Sequence, residues 1–169
     1  METMEAIFSR RSSRKFLDKA LPKGVVEQIL RAGMQAPSAR NQQPWHFVAV
    51  SDRGLLDRIP DVHPHASMCL EAPLAIVCCG DPGLSRGDAY WVQDVSAASQ
   101  NILLAARDLG LGAVWLGVYP MMQRVQAIRE LFNLPDSVIP LNIIALGYTE
   151  VPQRFVDRYL PERVHQNTW

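Results

Sequence analysis

The chain has 169 residues, 48% of them hydrophobic and 20% charged, within the span of one compact domain. Seventeen Lys and Arg balance seventeen Asp and Glu, so the formal net charge is zero. These values exclude wholesale disorder, which needs few apolar residues and a large net charge, and they lack the basic excess of a general nucleic-acid binder.

In chain order, residues 2–9 are expected to form a short helix that ends at Arg10, Arg11, Arg14 and Lys15, followed by an extended piece at 15–17. The stretch METMEAIFSRR has no long apolar run and does not resemble a secretory signal. Residues 23–35 place Val26, Ile29, Leu30, Gly33 and Met34 on one helical stripe, and Pro37 ends that helix. A polar loop at 40–44 leads into a strand over 45–51, with Val48 and Val50 on one face. Short helices are expected at 54–59 and 64–70. PLAIVCCG, residues 73–80, reads as a strand covered on both faces.

A loop over 80–87 follows, and Asp88 is placed to cap a long helix running to Leu109, with Gly110 as its carboxyl-terminal cap. The small residues of that helix, such as Ala97, Ala98, Ala105 and Ala106, suit a close neighbour, either the core or a second subunit. A strand at 113–116, a helix at 121–132 and a strand at 140–148 complete the alternation. The pattern predicts an α/β or α+β sandwich with a mainly antiparallel or mixed sheet of four or five strands. Residues 149–169 carry charges, prolines and aromatics without periodicity, and are expected to lie across another surface. No run of about 18 apolar residues exists, so no membrane span is expected. Adjacent Cys78 and Cys79 would face opposite sides of a strand, a poor pair for one disulfide. With Cys69 they suggest a reduced, cytoplasmic protein.

Several chemistries lack their residues. There is no G-x-x-x-x-G-K-[ST], no H-E-x-x-H and no G-x-S-x-G. Gly110-Leu111-Gly112-Ala113-Val114-Trp115 carries Trp where a dinucleotide fingerprint needs a third Gly, and it precedes a strand instead of following one. His63, His65 and Cys69 could supply three metal ligands, but a fourth is missing, and a surface loop with two solvated histidines is the favoured reading.

Three polar features remain. Arg10-Arg11-Ser12-Ser13-Arg14 offers guanidinium forks that match phosphate oxygens, although cations at a helix carboxyl end give the same pattern. Pro37-Ser38-Ala39-Arg40-Asn41-Gln42-Gln43-Pro44-Trp45 presents hydroxyls and amides that complement a heterocycle edge, or simply a turn. Trp115-Leu116-Gly117 is a strand end whose Gly admits a flat ligand, or a piece of ordinary core.

Taken together, R-R-S-x-R, A-P-S-x-x-N-x-Q-P-W and W-L-G resemble, in order and spacing, the FMN-dependent nitroreductase family. The stretches Tyr90 to Asp94, Leu109 to Gly112 and Leu146 to Tyr148 are also similar, so the likeness covers nearly the whole chain. It implies a single α+β domain over residues 1–169, and a homodimer holding FMN at its interface, with the tail 149–169 reaching across. Carried over, Arg10 would lie near the phosphate with Arg11 beside it, and Ser12 and Arg14 toward the pyrimidine side of the ring. Pro37, Ser38 and Ala39 would approach from the partner chain, and Asn41 would lie near the ring or ribityl chain. Leu116 and Gly117 would line the ring near N5. Arg163 would hold the phosphate, with Arg158 as its competitor.

The chain is shorter than larger members that carry a helical insertion beside the site. The resemblance implies ping-pong transfer from NADH or NADPH through FMN to a nitroaromatic, quinone or similar acceptor, with no side chain acting as nucleophile. The alternatives are a non-enzymatic flavin-binding protein and a metal-dependent hydrolase built on His63, His65 and Cys69.

Overall fold

The computed structural model describes residues 1–85 and 89–169. Seven residues of α1 (Thr3–Ser9) precede α2 (Lys23–Met34), a 3-10 turn (Ala39–Asn41) and strand β1 (Trp45–Val50). Then come α3 (Arg53–Leu56), α4 (Ile59–Val62), a 3-10 turn (Ser67–Leu70) and β2 (Leu74–Gly80). The chain continues through α5 (Trp91–Asp108), β3 (Gly112–Gly117), α6 (Met122–Phe132) and β4 (Ile139–Gly147).

The sheet has four strands in the order β1-β2-β4-β3, and every neighbouring pair is antiparallel. The fold is α+β, as the sequence predicts. All seven residues of β2 are buried, which explains its unbroken apolar run. Alternation along the strand divides the core into two layers. Val77 and Cys79 pack with Leu56, Ile59, Ile128 and Ile143 on one face; Ile76 and Cys78 pack with Ile29, Ile102 and Ile144 on the other. The first layer is closed by α3, α4 and α6, the second by α2 and α5. Gly33 lets α2 approach α5, because a Cβ there would lie 2.9 Å from Ile102 Cγ1. One polar pair crosses the second layer: Asn142 Nδ2 donates to Ser99 Oγ at 3.0 Å, both residues fully buried.

Gly110 ends α5 with φ +75, in the left-handed geometry expected of a glycine cap. The proposed cap Asp88 lies outside the described residues, and the residue before α5 is Tyr90, which caps without a side-chain bond. The expected helices at 54–59 and 64–70 are replaced by α3, α4 and a 3-10 turn. Asp52 starts α3 by accepting from Leu55 N at 2.9 Å, and Pro60 occupies the first turn of α4, where its missing N–H costs nothing. Among the described residues no helix is long and apolar enough to cross a membrane.

Candidate functional site

The outer edge of β3 organises the site. Ser12 bridges Ala113 in parallel, and Ser13 N donates to Ala113 O at 3.0 Å. Ser13 is fully buried, and a Cβ on Gly112 would fall 2.6 Å from it, so glycine there permits the close approach. The tail clamps this segment through one side chain. Gln153 Nε2 donates to Ser13 Oγ at 2.8 Å, and Gln153 Oε1 accepts from Arg11 N at 2.8 Å.

Beside this clamp Arg10, Arg11 and Arg158 line a cleft of about 340 Å³, with Ile7, Phe8 and Tyr159. Burial, and then the charges of Arg11 and Arg158, push the Arg10 pKa below its ordinary value. The one carboxylate lining the cleft, Asp157, already accepts from Tyr159 N at 2.9 Å. Arg11 Nη1 donates to Arg10 O at 2.6 Å, whereas Arg11 Nη2 is buried and has no hydrogen-bond partner among the described residues. Converging cations with an unmet buried donor are what a phosphate group completes. The donor set therefore fits the phosphate end of FMN.

A second patch is the loop 38–43. Arg40, Asn41 and Gln43 have φ of 51, 56 and 51, left-handed values that non-glycine residues rarely adopt. Local bonds hold them: Gln43 N donates to Ser38 Oγ at 3.0 Å, and Gln43 Nε2 to Asn41 Oδ1 at 3.2 Å. Asp94, buried in the first turn of α5, anchors the loop by accepting from Ala39 N at 3.0 Å.

The third patch is the far end of β3. Leu116 is buried, and Gly117 is half-buried. Gly117 O accepts from Arg124 Nη1 at 3.2 Å and lies 2.8 Å from His63 Nε2. His63 is only 2% exposed, which corrects the expectation of a loop with two solvated histidines. Its backbone closes α4 by donating to Ile59 O at 3.0 Å, and this turns the ring inward. Burial, more than any other cause, pushes its pKa below the ordinary value. No cluster of three metal-ligating side chains occurs among the described residues. Cys69 is fully buried, and burial raises its thiol pKa to about 12, so it is a packing residue.

The structure thus brings Arg10 and Arg11 into one cleft and sets Ser12 at its side on the edge of β3. Arg14 is exposed. Pro37, Ser38, Ala39 and Asn41 form a separate surface loop, and Leu116 and Gly117 stand at the opposite end of β3 from Ser12. Arg163, in a 3-10 turn over Pro161–Arg163, is exposed and outside the cleft; its competitor Arg158 lines it. A bigger cavity of about 700 Å³ lies between α2 and β1, lined by Leu21, Val26, Leu30 and Ala49, and none of the predicted residues reaches it. Sequence reasoning missed Gln153, Asp94 and Arg124, and it named His63 only as a metal ligand or a solvated histidine. Only Asp94 carried a local signal, an acid in a helix's first turn.

The sequence profile of the nitroreductase family matches residues 7–71 and 63–148. This chain belongs to the nitroreductase family. A relative from Methanothermobacter thermautotrophicus, named as an NADH dehydrogenase/NAD(P)H nitroreductase, is 48% identical over 169 residues, covering 100% of this chain and 88% of the relative. A crystal structure of a protein given the same name, from Parabacteroides distasonis, superposes with a TM-score of 0.94 at 43% identity, covering 99% of this nitroreductase-family chain and 98% of that one. A nitroreductase from Desulfovibrio desulfuricans, solved in complex with FMN, superposes with a TM-score of 0.86 at 29% identity, covering 100% and 98%.

Proposed function

We propose that this chain is an FMN-dependent oxidoreductase that passes electrons from NADH or NADPH to a small organic acceptor, such as a nitroaromatic or a quinone, by ping-pong exchange. The observation that carries the reading is the cleft of Arg10, Arg11 and Arg158 beside the edge of β3, with a buried guanidinium nitrogen left unmet. FMN, when bound, supplies the hydride chemistry that no side chain here can perform. Arg10, Arg11 and Arg158 bind its phosphate. Ser12 and Arg14 face the pyrimidine side, where a cation favours the charge that reduction creates. Leu116 and Gly117 line the ring.

The loop bearing Pro37, Ser38, Ala39 and Asn41 stands apart from the cleft of its own chain, which supports a site completed by a second copy in a two-fold dimer. The tail supports the same arrangement. Phe155, Tyr159 and Trp169 are 63%, 67% and 100% exposed, large apolar surfaces suited to a partner. No thiol is available as nucleophile, because Cys69, Cys78 and Cys79 are all buried and free. Free thiols also fit a reducing compartment, the cytoplasm.

The purified protein is expected to be yellow, to sediment as a dimer, and to bleach anaerobically with NADH or NADPH. A quinone or nitroarene should then restore the colour. Flavin that neither nicotinamide bleaches would indicate a binder without this activity. Protein that stays colourless in excess FMN refutes the reading altogether. Arg10→Ala and Ser12→Ala should each weaken FMN retention by about 1.5–3 kcal/mol, the worth of a hydrogen bond to a charged group.

A further inference from the structure

We propose that His63, backed by Arg124, is a positioning residue that locks the Gly117 carbonyl and so fixes the end of β3 against the flavin ring. The proposal rests on the FMN reading above. Its first support is the hydrogen-bond pattern of the imidazole. His65 N donates to His63 Nδ1 at 3.3 Å, so Nδ1 is an acceptor and the ring proton sits on Nε2. That Nε2–H donates to Gly117 O at 2.8 Å. Both ring nitrogens are therefore satisfied in the neutral form. Among the described residues the charged or titratable groups facing the ring are Arg124, from α6, and His65, from its own loop. A second proton would have to displace the His65 N–H and sit near the Arg124 guanidinium.

The second support is the strand itself. Ala113, Trp115 and Gly117 share one edge by the two-residue alternation of a strand. Ala113 O on that edge is taken by Ser13 N, and Gly117 O by His63 and Arg124. The edge is thus pinned at both ends. Just beyond it, Val118 N and Tyr119 N both donate to Leu141 O at 3.0 Å, so the chain bends away where its last carbonyl is held.

The third support is Gly117. A Cβ there would meet nothing within 4 Å among the described residues beyond its own chain neighbours, and its φ is outside the left-handed range. The fold of the chain does not require glycine at this place. Its absent side chain leaves room for a flat ligand, and the outward carbonyl of this glycine is free of the β4 ladder, so its orientation is set by donors from other elements. His63 and Arg124 are those donors.

The test compares wild type with His63→Gln, His63→Leu and Arg124→Met. FMN dissociation constants are read from flavin fluorescence, together with the absorption band and midpoint potential of the bound flavin. Wild type should bind FMN. His63→Leu should bind about tenfold more weakly, the loss expected when the carbonyl keeps only its longer bond to Arg124 and loses its buried donor, with a shifted band and potential. His63→Gln, whose amide N–H reaches a similar distance, should return to within about threefold of wild type. A folded His63→Leu that matches wild type in affinity, band and potential overturns the proposal. So does an equal defect in His63→Gln and His63→Leu, which would make the ring a packing element. Should His63→Leu fail to fold, Arg124→Met decides: unchanged affinity and potential overturn the proposal, and a weakening with a shifted potential supports it. Wild type that never takes up FMN sinks the functional reading and this proposal together; the other adverse outcomes sink this proposal alone.

Discussion

Strands β2 and β4 are buried along almost their whole length, whereas residues 154–169 are exposed throughout. The strands find every contact they need within the chain: β2 lies between two neighbours, with a packed layer on each face. The tail finds few. Gln153 clamps the amino-terminal segment and Phe155 leans on Phe8 with ring centroids 5.2 Å apart, but beyond Tyr159 the side chains face solvent. Chain length alone does not account for the contrast. A buried strand is stabilised by the fold it belongs to, whereas an exposed aromatic tail gains stability only from what it touches outside that fold. The two regions should therefore respond to perturbation in different assays.

Removing residues 150–169 is expected to give the largest effect, at least about a hundredfold loss of FMN affinity, since it deletes Arg158 and both hydrogen bonds between Gln153 and the amino-terminal segment. Denaturant melting should change little, and sedimentation should show loss of the dimer. A truncated chain that keeps its flavin would erase the distinction between the regions. Gly80→Ala probes the opposite region. Its Cβ would lie 2.3 Å from Trp91 Cε3, so equilibrium unfolding should show a cost of about 1–3 kcal/mol, with FMN affinity of the folded fraction preserved.

Within the tail, Arg158→Ala should weaken FMN about tenfold in low salt, and Arg163→Ala less than about twofold, because only Arg158 lines the cleft. The reverse order in fluorescence titrations would move the phosphate to Arg163. The smallest effect concerns pH. His63 is held neutral when folded, below its ordinary value near 6.5, while the unfolded chain takes up the proton at that value. The unfolded state then binds more protons, so the contribution of His63 is full above about pH 6.5 and is lost as pH falls. Denaturation midpoints should decline on that limb, and His63→Gln should flatten it.

What could be read from the sequence follows the range of the interactions. PLAIVCCG announces a doubly covered strand, and the stripe of Val26, Ile29 and Leu30 announces α2, because burial on a regular element leaves a periodic trace. The arginines at 10 and 11 are legible for a similar reason: their chemistry is concentrated within a few residues. The partners that shape the site are not. His63 meets Gly117 across 54 residues, and Gln153 meets Ser13 across 140. No local composition encodes such a meeting, so a buried imidazole looked like a solvated one. Asp94 fell between these cases. Its helical position was readable, but the loop amide it accepts from lies 55 residues earlier.

The neighbouring thiols of Cys78 and Cys79 sit back to back, one in each layer of the core, and burial raises both to about 12. Neither can meet a water-borne alkylating reagent until its own side of the sheet opens. Paired with mass spectrometry that separates the two positions, these adjacent sulfurs act as independent clocks for the opening of each layer, without any engineered label.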